Sequence, residues 1–332
     1  MHRLALIGLA AMMVWPASAC LADHRHDAEL VDQRIKAMPG VADTELKYES
    51  SFENGQNFGL VVKLDTRVTL PQATDIGRSF VDQTQRHHLG GHKVELDIRY
   101  PAVPQQKSNY LADYSQAAFT LGDNASPPAD PSAADVGDSI AVWLHAVRSP
   151  VAEYVGLNQP TWGGSAQSRD ILITLKQGAT AADAQALQKS DPSLANATWR
   201  ILIATDPTYR PQEYTSKPRP PSDSDVALWS QIIAIVGAGD EASGSTQIPA
   251  KPAWAETEIQ ISLPTGRDGE PGAHQTAISV ADLLPQFGHP VGLRMYTSDG
   301  PAEIIVGGCW HHEPDHRRLP LEVEMSRRYE KC

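Results

Sequence analysis

The stretch from Leu30 to Tyr100, LVDQRIKAMPGVADTELKYESSFENGQNFGLVVKLDTRVTLPQATDIGRSFVDQTQRHHLGGHKVELDIRY, decides how the chain is read. Val31, Ile35 and Met38 fall on one face of a helix, which Pro39-Gly40 stops. Leu46 and Tyr48 then alternate with charged residues. Asn54-Gly55 supplies the pair that a type I′ turn favours, and Phe58, Leu60, Val62 and Leu64 alternate on the way back. Thr69 followed by Pro71 opens a second helix with a cap and an early proline, and Ala73, Ile76 and Phe80 line its buried side. After Gly90-Gly91, the residues Val94, Leu96, Ile98 and Tyr100 alternate with Lys93, Glu95, Asp97 and Arg99, which predicts a strand with one buried and one wet face. Helices are therefore expected on one side of the sheet.

The same order of helix, strand, strand, helix, strand recurs from Val136 to Ala204 and from Ser222 to Val306. In the second unit Val136, Ile140, Trp143, Leu144 and Val147 are helical. Strands follow at Tyr154–Leu157 and Ile171–Leu175, then a helix opened by Thr180, then Trp199, Ile201 and Ile203 in alternation. In the third unit Val226, Trp229, Ile232, Ile233 and Val236 share a helical face behind an N-cap at Ser222. Leu321, Val323 and Met325 alternate as an expected edge strand.

Proline-rich stretches separate the units. The expected organisation is a signal segment at 1–19, a tether and first unit at 20–100, a linker at 101–135 with one extra strand near Ser115–Leu121, a second unit at 136–206, a linker at 207–221 and a third unit at 222–332. The expected fold class is α+β: three α-β-β-α-β units, each a two-layer α/β sandwich on a mostly antiparallel sheet. Units of this size bury only about 60% of their unfolded surface, so mutual packing is expected.

Composition narrows the functions. The chain has 332 residues, 41% of them hydrophobic, as befits a globular protein. Its net charge of −12, with 40 acidic against 28 basic residues, lacks the basic footprint that phosphate backbones require, so nucleic acid is excluded as an expected partner.

Met1–Cys20 carries Arg3, an apolar core from Leu4 to Trp15 and the small-residue exit Ala17-Ser18-Ala19-Cys20. The core is shorter than the roughly 20 residues a bilayer-spanning helix needs, so it reads as an export signal that is removed. Ser18-Ala19-Cys20 resembles the lipobox of bacterial (actinobacterial-type) exported lipoproteins, departing from it at Ala17, where the family usually has leucine. The resemblance covers the signal alone. It implies acylation of Cys20 and a membrane partner at the outer face of the cell membrane; cleavage by ordinary signal peptidase would instead give a secreted protein. If Cys20 is lipidated, Cys309 and Cys332 remain as a pair in an oxidising compartment, where a disulfide is expected, the alternative being two free thiols.

Candidate site residues are few. His311, His312, Glu313, Asp315 and His316 form the densest set of metal-capable side chains, suited to zinc or copper, although their spacing fits no zincin or finger and surface histidines are the plainer account. Trp162, between Pro160 and Gly163-Gly164, could anchor a ligand or pack on a neighbouring unit. Gly237-Ala238-Gly239-Asp240-Glu241-Ala242 imitates a dinucleotide fingerprint, but it follows helical spacing and carries acids where phosphates need positive potential, so it is a glycine-capped helix end. No Gly-x-Ser-x-Gly elbow occurs, and no catalytic residue or cofactor is assigned. The expected function is a non-catalytic envelope lipoprotein that binds an envelope protein or small ligand; the alternative is a metal-binding protein or metal-dependent enzyme using His311, His312, Glu313 and His316. Intact protein from membranes is expected to carry a diacylglyceryl group on Cys20, seen by mass spectrometry, and Cys20→Ala to be released from the membrane; unmodified protein recovered from the medium would leave the secreted form.

Overall fold

The structure, a computed structural model, describes residues 23–51, 55–89, 93–104, 115–122, 132–159, 169–204, 211–237, 240–250, 254–263, 271–310 and 317–332. The protein is a mixed α+β fold, with seven α-helices and one 12-stranded sheet among the described residues. The elements run α1 (Arg25–Lys36), β1 (Val41–Ser51), β2 (Gly55–Leu64), α2 (Leu70–Arg86), β3 (Lys93–Tyr100), β4 (Ala117–Leu121), α3 (Ala133–Val147), β5 (Ala152–Gln159), β6 (Asp170–Leu175), α4 (Ala181–Ser190), β7 (Thr198–Ile203) and β8 (Gln212–Lys217). They continue with α5 (Asp223–Val236), β9 (Ala242–Gln247), β10 (Thr257–Ser262), α6 (Pro271–Leu283), β11 (Val291–Thr297), β12 (Gly300–Val306) and α7 (Pro320–Tyr329).

The strands lie in the sheet in chain order. Six neighbouring pairs are antiparallel and five are parallel. The two kinds alternate, and each parallel pair is joined by one of the helices α2 to α6. The sheet is thus mostly, though not entirely, antiparallel, as expected. The stretches expected as linkers hold β4 and β8, each paired on both sides, so the strands of the three segments join in one sheet. Strand β9, rich in serine and glycine, gives no hydrophobic alternation to read.

Capping chemistry sets the helix starts. Thr69 and Gln72, Thr180 and Asp183, and Ser222 and Asp225 form reciprocal capping boxes that satisfy donors left free in the first turn. The helices α2 and α3 approach closely through a glycine on each: a Cβ at Gly77 would stand 2.1 Å from Ile140 Cδ1, and one at Gly137 2.7 Å from Arg78 Nε.

Alternation decides which face of the sheet is dry. On β2, Gln56, Phe58, Leu60, Val62 and Leu64 are buried while Asn57, Gly59, Val61 and Lys63 are only partly so. Two apolar clusters result. One gathers α1 to α4 with β2 to β7, from Ala28 to Trp199; the other gathers α5 to α7 with β8 to β12, from Tyr214 to Met325. The buried core thus divides in two, between β7 and β8. Trp143, at the centre of the first, donates its indole N–H to the Val155 carbonyl at 3.1 Å.

Leu321, Val323 and Met325 form helix α7 instead of the expected edge strand. Leu321 and Met325 are one turn apart and both buried, Pro320 sits at the first helical position and Arg327 and Arg328 occupy the last turn. Over five residues, periods of 2 and 3.6 place the same two side chains inward, and the flanking signals settle the matter. Past α7 the tail returns to β12. Gly307 N–H donates to the Tyr329 carbonyl at 3.0 Å and Lys331 N–H to the Gly308 carbonyl at 2.8 Å. Ile305 N–H donates to Glu330 Oε1 at 3.0 Å.

Cys309 and Cys332 form a disulfide, with Cα atoms 5.0 Å apart, that closes this loop. Replacing both cysteines by alanine is expected to lower stability by about 2–4 kcal/mol, read as a lower urea midpoint at unchanged slope. A midpoint equal to that of the parent would show that the tail holds by its backbone bonds alone.

Candidate functional site

The sheet face opposite the helices carries the polar half of each strand, and register brings those residues together across the molecule. Asp43, Lys63, Arg99, Ala118, Gly156, Leu172 and Thr198 stand side by side on seven successive strands. The next row places Thr120, Asn158 and Asp170 together. The middle of these rows lines a groove of about 520 Å³, with Arg99, Ala118, Thr120, Tyr154, Gly156, Asn158, Asp170, Leu172 and Thr198 along it. Ala118, Gly156 and Leu172 make a low, apolar floor. Thr120 and Asn158 supply the hydrogen-bonding rim, with the threonine hydroxyl 3.2 Å from Asn158 Oδ1.

One wall is built on Tyr154. Its ring lies over Gly156, where a Cβ would meet the tyrosine hydroxyl at 3.0 Å, so a glycine is needed for the ring to lie flat. The Arg200 guanidinium stands 5.8 Å from the ring centre, within reach of a cation–π contact. Arg200 is 5% exposed, donates from Nε to Thr174 Oγ1 at 2.9 Å and lies 3.5 Å from the Glu213 carboxylate.

Three more cations on this face are matched in the same way. Arg99 donates twice to Asp97 Oδ2, at 2.9 and 2.6 Å, and Lys63 lies 3.5 Å from Asp43. Arg294 contacts both Glu258, at 3.3 Å, and Glu303. Its guanidinium is 5.8 Å from the Trp254 ring, which covers Gly292 and meets Trp310 edge-on at 4.9 Å. Opposite charges side by side on neighbouring strands neutralise each other. A second, smaller cavity of about 300 Å³ lies near Glu213, Ser243, Gln260 and Tyr296.

Of the candidate residues read from the sequence, Cys20, Trp162, His311, His312, Glu313, Asp315 and His316 lie outside the described residues. Cys309 and Cys332 are joined as described. The described residues contain no group of three or more side chains able to hold a metal ion, and no helix among them is long and apolar enough to cross a membrane. The groove residues carry no sequence signal of their own: Ala118, Gly156 and Leu172 come from three strands, and only pairing register unites them.

Comparison with protein-family models, curated proteins and solved structures finds no match to this chain.

A titratable cluster pins α1 to the end of α2. The Asp27 carboxylate lies 2.9 Å from His24 Nδ1 and 3.3 Å from Nδ1 of His87, the C-terminal cap of α2. The hydrogen bond from His24, helped by that from His87, holds the Asp27 carboxyl below its ordinary value. The folded state therefore binds this proton less readily than the unfolded chain. The resulting stabilisation is present above the ordinary carboxylate range and is lost as pH falls through the lowered folded value. Asp27→Asn is expected to lower the Tm near pH 7, and the gap from the parent protein to narrow as pH falls below the ordinary carboxylate range; a gap constant with pH would assign the effect to packing.

Proposed function

We propose that the protein is a non-catalytic, exported binding protein, held at the outer face of the cell membrane through lipidated Cys20. Its helix-free sheet face receives an uncharged, hydrogen-bonding ligand in the groove over β4 to β7. The observation that carries this reading is the pairing of charge on that face: Arg99, Arg200, Lys63 and Arg294 each already lie against a carboxylate. A charged ligand would have to break such a pair and leave its partner unmatched, whereas a neutral ligand uses the Thr120–Asn158 rim and the apolar floor at no such cost. The overall charge of −12 works further against polyanions.

The element order supports a finer architectural reading as well. With β4, β8 and β12 as closing strands, the chain reads as three α-β-β-α-β-β modules that share one sheet in a two-layer arrangement. In that arrangement every module contributes two helices to one side and four strands to the other, and the free face is common to all three.

Thermal-shift and calorimetric screening with neutral oligosaccharides and uncharged peptides is expected to yield a ligand whose binding is lost in Ala118→Trp, which fills the groove. Binding is expected to persist in Gln260→Ala, in the second cavity. Ligands insensitive to Ala118→Trp would place the site elsewhere. A stoichiometric zinc or copper ion that disappears on replacing His311, His312 and His316 would favour the metal-binding function instead.

A further inference from the structure

The two edges of the sheet are treated differently. At β12 the tail bonds to Gly307, Gly308 and Ile305 and is locked by the disulfide, so that edge is closed at one end. At β1 the strand runs 11 residues and, among the described residues, pairs with β2 alone. A free edge presents a row of backbone donors and acceptors to any incoming strand, and proteins usually blunt it with a short strand, a proline, a bulge or charged side chains, of which β1 uses the last. Strand β1 has no proline, and its single irregularity lies at its start, between Val41 and Asp43. Lys47 and Glu49, both exposed, form no ion pair among the described residues, whereas Asp43 on the same strand is engaged by Lys36 and Lys63.

We propose that β1 pairs antiparallel with β1 of a second copy of this chain, about a two-fold axis at Tyr48, joining two sheets edge to edge. Charge selects the register. With Tyr48 opposite its own copy, Lys47 faces Glu49 of the partner subunit, the reciprocal pair forms by symmetry, and Glu45 faces a serine. Centring the axis on Lys47 sets lysine against lysine and Glu45 against glutamate; centring it on Leu46 sets Asp43 against glutamate. Of these three registers, the one at Tyr48 matches every charge from Glu45 to Ser51 with an opposite or neutral group.

The helices agree with the same choice. Helix α1 covers the half of β1 before Tyr48, as Lys36 lies 3.5 Å from Asp43 at one end and His24 N–H donates to Tyr48 Oη at 3.0 Å at the other. In the Tyr48 register the two α1 helices occupy opposite halves of the paired strands and meet at their N-termini, so neither blocks the other. The interface is isologous and closes on itself.

Sedimentation and light scattering of the purified protein over micromolar to hundred-micromolar concentration test this. The expected result is a monomer–dimer equilibrium that Lys47→Glu and Glu49→Lys each weaken at least about tenfold, by turning both attractive pairs into repulsive ones. The double swap, Lys47→Glu with Glu49→Lys, restores the dimer, and this separates pairing from any loss of folding. A protein that stays monomeric across the range, or a dimer indifferent to both single charge reversals, would overturn the proposal.

Discussion

Backbone pairing of β4 and β8 on both of their sides is the constraint on which the rest of the molecule depends. Each is a strand of five or six residues inside a polar, proline-rich stretch. Strand β4 pairs antiparallel with β3 and parallel with β5; strand β8 pairs antiparallel with β7 and parallel with β9. Remove either, and the sheet falls into pieces with new raw edges, each exposing unpaired amides and carbonyls. With both in place, backbone groups in the interior of the sheet find partners in neighbouring strands, as groups out of contact with water must.

The two faces of the sheet follow from the strand period of two. Side chains turned toward the helices bury Phe58, Leu60, Ile98, Phe119, Val155, Trp199, Ile259 and Leu293, and the helices close over them through positions such as Ile76, Ile140, Trp229 and Val280. Tight approach of α2 and α3 depends on Gly77 and Gly137, since a side chain at either would occupy the space of a neighbour. Residues turned the other way are covered by no helix among the described residues, and most of their charges are matched within the sheet, Asp43 also reaching Lys36 at the end of α1. Arg200 is buried on that side beneath Tyr154, where Thr174 and Glu213 help to offset the loss of water around its charge.

Much of this was legible in the sequence because local chemistry is enough to specify it. The hairpin of β1 and β2, the capped starts of α2, α4 and α5, and the alternation in β3 all depend on residues close in the chain, and they stand where the pattern puts them. Strand β8 was not legible, because a strand between two partners needs few apolar residues of its own, as Gln212–Lys217 illustrates with Tyr214 its only large apolar side chain. The C-terminal stretch misled for a different reason. Leu321 and Met325 satisfy both a strand and a helix, and the choice went to the helix that lays them on the second core.

The sequence by itself determined the period of each well-patterned element, the caps that start the helices, the net negative charge and the cysteine pair at the C-terminal end, because each is a property of neighbours or of composition. Only the tertiary structure decided that the three segments share one sheet and that the buried core divides in two between β7 and β8. It also decided that Ala118, Gly156 and Leu172 meet in one groove. The physical reason is register. Which residue stands beside which across a sheet is set by backbone hydrogen bonds between strands far apart in the chain, and no spacing along a single strand records that choice.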